Sequence, residues 1–129
     1  MIIKYKKVQD EYTTYTLVQP DYKEDDPRIT ELCTIGEDTY INVPDGVKLP
    51  EQPKQVIIEP ITLTDELRAE IKAVSPHVKL INARVVEKIR AKYTPDDEFK
   101  MLRTKDEEYL VYVDKCTTWG TIEKNKIGL

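Results

Sequence analysis

Three acidic triplets, Glu24-Asp25-Asp26, Asp96-Asp97-Glu98 and Asp106-Glu107-Glu108, are the densest groups in this chain able to do acid–base work. Adjacent carboxylates become catalytic when their surroundings push their pKa values apart, so that one donates a proton while the other stays ionised. Two of the triplets open helices, where negative charge meets the positive end of the helix dipole. The first lies in a polar loop beside Pro27, open to water. All three therefore read as structural. Nucleophilic catalysis needs a Ser, Cys or Thr next to a base and an orienting group. The single serine, Ser75, precedes Pro76 and reads as a helix cap. Cys116 falls on an apolar helix face, where a thiol is inert. His77 is the one histidine, and no Cys or His partner sits at ligand spacing from it. Cys33 and Cys116 lack CxxC spacing and read as two buried free thiols, a disulfide between them requiring that the two halves of the chain pack together. The four glycines are scattered, which argues against a phosphate-cradling loop. The sequence thus implies no metal, no cofactor and no enzymatic activity.

Helices must position most of these groups. Thr94-Pro95 is a cap followed by proline at the first helical position. Phe99 and Leu102 give the short helix beyond it one apolar side. A second helix begins near Asp106, and Tyr109, Tyr112, Val113, Cys116 and Trp119 fall within roughly a 120° arc of it. The pair reads as a helical hairpin with one sticky face. Tyr and Trp there serve either as core bulk or as interface anchors. Upstream, Thr64 caps a helix that runs to about Val74 and buries Leu67, Ile71 and Val74. Ser75-Pro76 opens another helix with an apolar stripe of Val78, Ile81, Val85, Ile89 and Tyr93. Lys124, Lys126 and Gly128 mark the last helix end.

The first sixty residues differ in character. Ile2–Val8 and Tyr12–Val18 read as a hairpin turned at Asp10-Glu11, and Ile29–Ile35 and Thr39–Val43 as a second one turned at Gly36-Glu37-Asp38. Neither face of Ile29–Ile35 is cleanly apolar. Pro44, Pro50, Pro53 and Pro60 punctuate the segment after the second hairpin. Leu49–Pro53 is expected to be extended and to act as a linker, with Gln55–Glu59 as one more strand. The expected class is α+β: a β-rich, proline-punctuated region over residues 1–60 with the extended linker at its end, then three to four helices over residues 61–129.

A chain of 129 residues with 40% apolar and 34% charged residues is one small domain, or one with an appendage. No apolar run is long enough to cross a membrane. The opening residues, Met1–Lys7, are too soon charged for a signal peptide, which implies a reducing cytosol. Net charge is −4 and unevenly spread: residues 1–60 hold seven Lys/Arg against twelve Asp/Glu, the remainder thirteen against twelve. Neither half is a nucleic-acid surface by charge. The consecutive helices at 64–93 offer a helix-turn-helix alternative, a small cytosolic nucleic-acid-binding regulator. However, Lys79, Arg84, Lys88, Arg90 and Lys92 flank the apolar stripe on both sides instead of converging on one groove-reading face.

The C-terminal forty residues carry a resemblance. Tyr93-Thr94-Pro95-Asp96-Asp97-Glu98-Phe99-Lys100-Met101-Leu102-Arg103, then Tyr109 through Tyr112-Val113-Asp114-Lys115-Cys116 to Trp119-Gly120, and finally Lys126-Ile127-Gly128-Leu129, resemble the C-terminal pattern of small bacteriophage and prophage tail proteins, some of them tail fibre assembly proteins. Thr39–Gly46 and Leu49–Pro53 are similar to such chains as well. The resemblance implies a non-enzymatic tail-associated protein, located in the virion or the host cytoplasm. Its partners would be other phage tail or tail-fibre proteins, or further copies of itself. It would act as a minor virion component or as an assembly chaperone. The residues expected to carry binding are Tyr112, Trp119 and Ile122 on the last helix, and Tyr40 and Ile41 on an edge strand able to pair with a partner.

Overall fold

In the computed structural model, which describes residues 1–129, strands and extended segments occupy the front of the chain and four helices the rest, an α+β protein. The strands are β1 (Ile2–Lys6), β2 (Val8–Gln9), β3 (Thr14–Tyr15), β4 (Thr30–Ile35), β5 (Asp38–Asn42) and β6 (Glu59–Ile61). The helices are α1 (Asp65–Val74), α2 (Pro76–Lys92), α3 (Pro95–Thr104) and α4 (Glu107–Lys126). The chain divides into two compact units, Met1–Pro76 with Ile127–Leu129, and His77–Lys126.

The first unit is built on an antiparallel sheet in the order β4-β5-β1-β6. Gly36, at φ +61°, supplies the left-handed residue of the β4–β5 turn. Ile3 pairs with Ile41 across β1 and β5, and both point into a core with Tyr5, Leu17, Val43 and Val56. The register of β4 shifts between Glu31 and Cys33. Leu32 is the extra residue of that bulge, so Leu32 and Cys33 are buried side by side. This is why neither alternating face of Ile29–Ile35 looks apolar in the sequence.

Three expectations for the front region need correction. The first hairpin is short: only Val8–Gln9 and Thr14–Tyr15 pair, and Asp10 closes the turn by accepting from the Tyr12 and Thr13 amides at 2.9 and 2.7 Å. The last strand lies later than Gln55–Glu59, at β6, because Val56 and Ile58 turn into the core instead. The proline-rich stretch is packed and does not span open space. Val47 and Leu49 lie on the core, and the Gln52 carboxamide grips the Val18 backbone, accepting from its N–H at 2.7 Å and donating to its carbonyl at 3.0 Å.

Thr64 caps α1 by accepting from the Leu67 amide, as its residue type predicts. The helix packs on β4 and belongs to the sheet unit, so the compact unit extends past the compositional change at residue 61. Ile71 is fully buried and Leu67 half-buried, while Val74 is exposed, contrary to expectation. Ser75 also departs from its expected role. Its backbone N–H closes α1 onto the Ile71 carbonyl, but its Oγ is buried without a hydrogen-bond partner and caps nothing. Gly128, at φ +87°, lies against Ile2 and Asn42, and Leu129 is buried beyond it.

Candidate partner-binding surface

In the second unit α2, α3 and α4 are joined by side chains of the expected stripes. Val78 and Ile81 are buried on α2, and Val85, Ile89 and Tyr93 are half-buried. On α4, Tyr109, Cys116 and Gly120 are buried. The absence of a side chain at Gly120 lets α2 approach closely, since a Cβ there would lie 2.7 Å from Val85 Cγ2. Tyr93 stands edge-on to Tyr109 with ring centroids 4.9 Å apart and lies 5.7 Å from Tyr112.

Four carboxylates of the acidic triplets hold turns, caps or side chains in place. Thr94 and Asp97 form a capping box, Thr94 Oγ1 accepting from the Asp97 amide and Asp97 Oδ2 from the Thr94 amide. Glu98 accepts from the Tyr109 hydroxyl at 2.9 Å, and Asp106 accepts from the Tyr109 amide at 2.9 Å. Burial, helped by the Glu98 carboxylate, pushes the Tyr109 hydroxyl above its usual pKa. Asp26 accepts from the Lys23 amide in its own turn. Asp26 lines an open groove shared with Asp21, Asp45 and Lys48. His77 is exposed at the second residue of α2, and no three His, Cys, Asp or Glu side chains gather as a metal-binding group. Cys33 and Cys116 are both buried free thiols, and burial pushes the Cys33 thiol up. No helix is long and apolar enough to cross a membrane.

The expected binding residues separate into three environments. Tyr40 and Ile41 lie on β5, an interior strand flanked by β4 and β1, and both are buried. The edge-strand expectation is therefore corrected. Local alternation marks a strand, but its place in the sheet depends on β1 and β4 pairing on either side of it. Tyr112 and Trp119 are half-buried and roofed by lysines of α2. Lys92 Nζ lies 4.6 Å from the Tyr112 ring centroid and Lys88 Nζ 4.5 Å from that of Trp119. Tyr112 also donates to the Lys88 carbonyl at 2.8 Å. Burial first, and then Cys116 beside it, raise the Tyr112 pKa. Ile122 alone of the five is exposed.

Apart from Ile122, sequence reasoning missed the residues that the surface does present. Phe99 and Leu102, the apolar side expected of α3, point to solvent at 68% and 59% exposure. Glu98 and Met101 take the inward side of α3, because Glu98 must meet Tyr109. On α4, Val111 and Ile122 share the outward face. The clue in the sequence is that Val111 and Ile122 fall outside the arc of Tyr109, Cys116 and Gly120. The helices read as a helix-turn-helix pair are assigned to different units, α1 with the sheet and α2 with α3 and α4.

No family model matches the chain, and no curated protein or solved structure is significantly similar to it.

Proposed function

We propose that the chain is a non-enzymatic bacteriophage or prophage tail-associated protein that works by binding another tail protein, as a minor virion component or as a tail fibre assembly factor. The observation that carries this reading is the balance of apolar side chains in the helical unit. Within its fifty residues four are buried, Val78, Ile81, Tyr109 and Cys116, while seven large ones are exposed. Single exposed apolar residues are ordinary. A unit this small with seven large apolar side chains open to solvent has surface suited to covering by another protein.

The tail-protein pattern supports the same reading. Tyr109, Tyr112, Cys116, Trp119 and Gly120 all lie toward the inner side of α4, where they hold the helices together. The pattern thereby maintains a scaffold whose outward residues on α4, Val111 and Ile122, are left for recognition.

Mass spectrometry after prophage induction in the source organism tests the proposal, with purified particles separated from the soluble fraction. The chain is expected in the particles at fixed stoichiometry to tail proteins, or in the soluble fraction in complex with a fibre protein. Recovery without any tail protein in either fraction overturns the reading.

A further inference from the structure

We infer that the outward face of α3 is a two-fold self-association surface, its occupant the same face of a second copy of this chain. At about 100° per residue, Leu102, Pro95, Phe99, Arg103 and Asp96 fall within roughly a 120° arc of α3. No residue of α3 is buried, and Phe99, the single phenylalanine of the chain, is among its most exposed apolar residues.

The order of residues along this arc identifies the occupant. An acid, Asp96, stands at the N-terminal end, and a base, Arg103, two turns later. The apolar pair Phe99 and Leu102 lies between or beside them. When such a helix is reversed on itself about a dyad through the Phe99–Met101 turn, Phe99 of each copy meets Leu102 of the other. Asp96 of each copy then comes opposite Arg103 of the other, at both ends of the contact. The stripe is thus complementary to its own reversal, as an isologous interface requires. Neither charge is engaged within the chain, since Asp96 and Arg103 take part in no intramolecular ion pair. Asp97 and Glu98, by contrast, are held by the capping box and by Tyr109, and Thr104 bonds back to the Lys100 carbonyl. Within the arc itself, the two charged groups that the fold leaves free are the two that a dyad would pair.

A contact limited to one ten-residue helix is small, so association is expected at high micromolar protein. Sedimentation velocity on the full chain from about 1 μM to about 1 mM covers that range. The mass is expected to rise from 15.0 kDa towards twice that value. Phe99→Glu, at an exposed site, is expected to keep the far-UV circular dichroism and hold the chain monomeric throughout. Asp96→Arg and Arg103→Asp each place like charges at both ends of the contact. Each is expected to weaken self-association on the order of tenfold. Mixed in equal amounts the two variants restore opposite charges at both ends, and a heterodimer is expected where neither variant pairs alone. Wild-type protein that stays at 15.0 kDa across the range overturns the inference. So does association that survives Phe99→Glu, or a mixture of the charge variants that does not pair. The result is independent of the tail reading, which stands or falls on co-recovery with tail proteins.

Discussion

Gly120 and Val85 stand so close that a Cβ on the glycine would lie 2.7 Å from Val85 Cγ2. Valine in a helix is nearly confined to one rotamer, so it cannot swing away. Gly120→Ala therefore sets an overpacking cost of about 1–3 kcal/mol against a gain of roughly 1 kcal/mol in helix propensity. A net loss of up to about 2 kcal/mol is expected in urea unfolding. Adding Val85→Ala should recover part of that loss. A stability gain from Gly120→Ala alone would show that the two helices yield at this contact.

The capping box at the start of α3 gives a second expectation. Thr94→Ala removes the acceptor for the Asp97 amide and is expected to cost about 1 kcal/mol. Thr94→Ser should keep nearly all of it. Differential scanning calorimetry of the two variants separates loss of the hydroxyl from a general effect of substitution.

At the other end of the same helix, Lys105 takes the left-handed conformation at φ +54°. A side chain there is disfavoured by roughly 1 kcal/mol relative to glycine. Lys105→Gly is expected to raise stability by up to about 0.5 kcal/mol, after the greater freedom of glycine in the unfolded chain is allowed for. The denaturation midpoint should move up with an unchanged slope.

Trp119 is the only tryptophan, and Lys88 lies over its ring at 4.5 Å. Its fluorescence therefore reports the α2–α4 contact directly. Lys88→Ala is expected to shift the Trp119 emission and to lower stability by about 0.5–1 kcal/mol. Lys88→Arg should preserve both signals.

Alkaline pH should loosen the fold. Burial is the leading cause that raises the pKa of Cys33 above 9.0 and those of Tyr40 and Tyr109 above 10.0. As pH climbs past the unfolded values, the unfolded chain releases these protons while the folded chain keeps them. Folding stability is thus fully present below about pH 9 and falls as pH rises through the folded pKa values. Melting temperatures between about pH 8 and pH 11 are expected to decline, and less steeply in Cys33→Ala and Tyr109→Phe.

Elements that depend on near neighbours were legible in the sequence. Thr64 and Thr94 cap their helices, Gly36 turns its hairpin, and the stripe from Val78 to Tyr93 faces inward, because each needs only residues within a turn or two. Features set by distant partners were not legible. The bulge at Leu32 depends on how β4 registers with β5. Tyr40 and Ile41 are interior because β1 and β4 both pair with their strand. Phe99 and Leu102 form a good apolar side, yet the hydrogen bond from Tyr109 to Glu98 turns the neighbouring Glu98–Met101 side of α3 inward. Ser75 has the residue type and proline neighbour of a cap, but its hydroxyl is buried without a partner.

The outer strands of the sheet bear on how the protein behaves when crowded. At one margin β6 is three residues long and carries Pro60 opposite Ile3, with no amide hydrogen to offer. At the other, the bulge at Leu32 breaks the even spacing of β4. Neither margin is a good template for a further strand, so copies held at high local concentration are protected against runaway fibril growth. Any ordered assembly this chain enters must then be specified by side chains, whose pairing can be finite, and not by open-ended backbone hydrogen bonding.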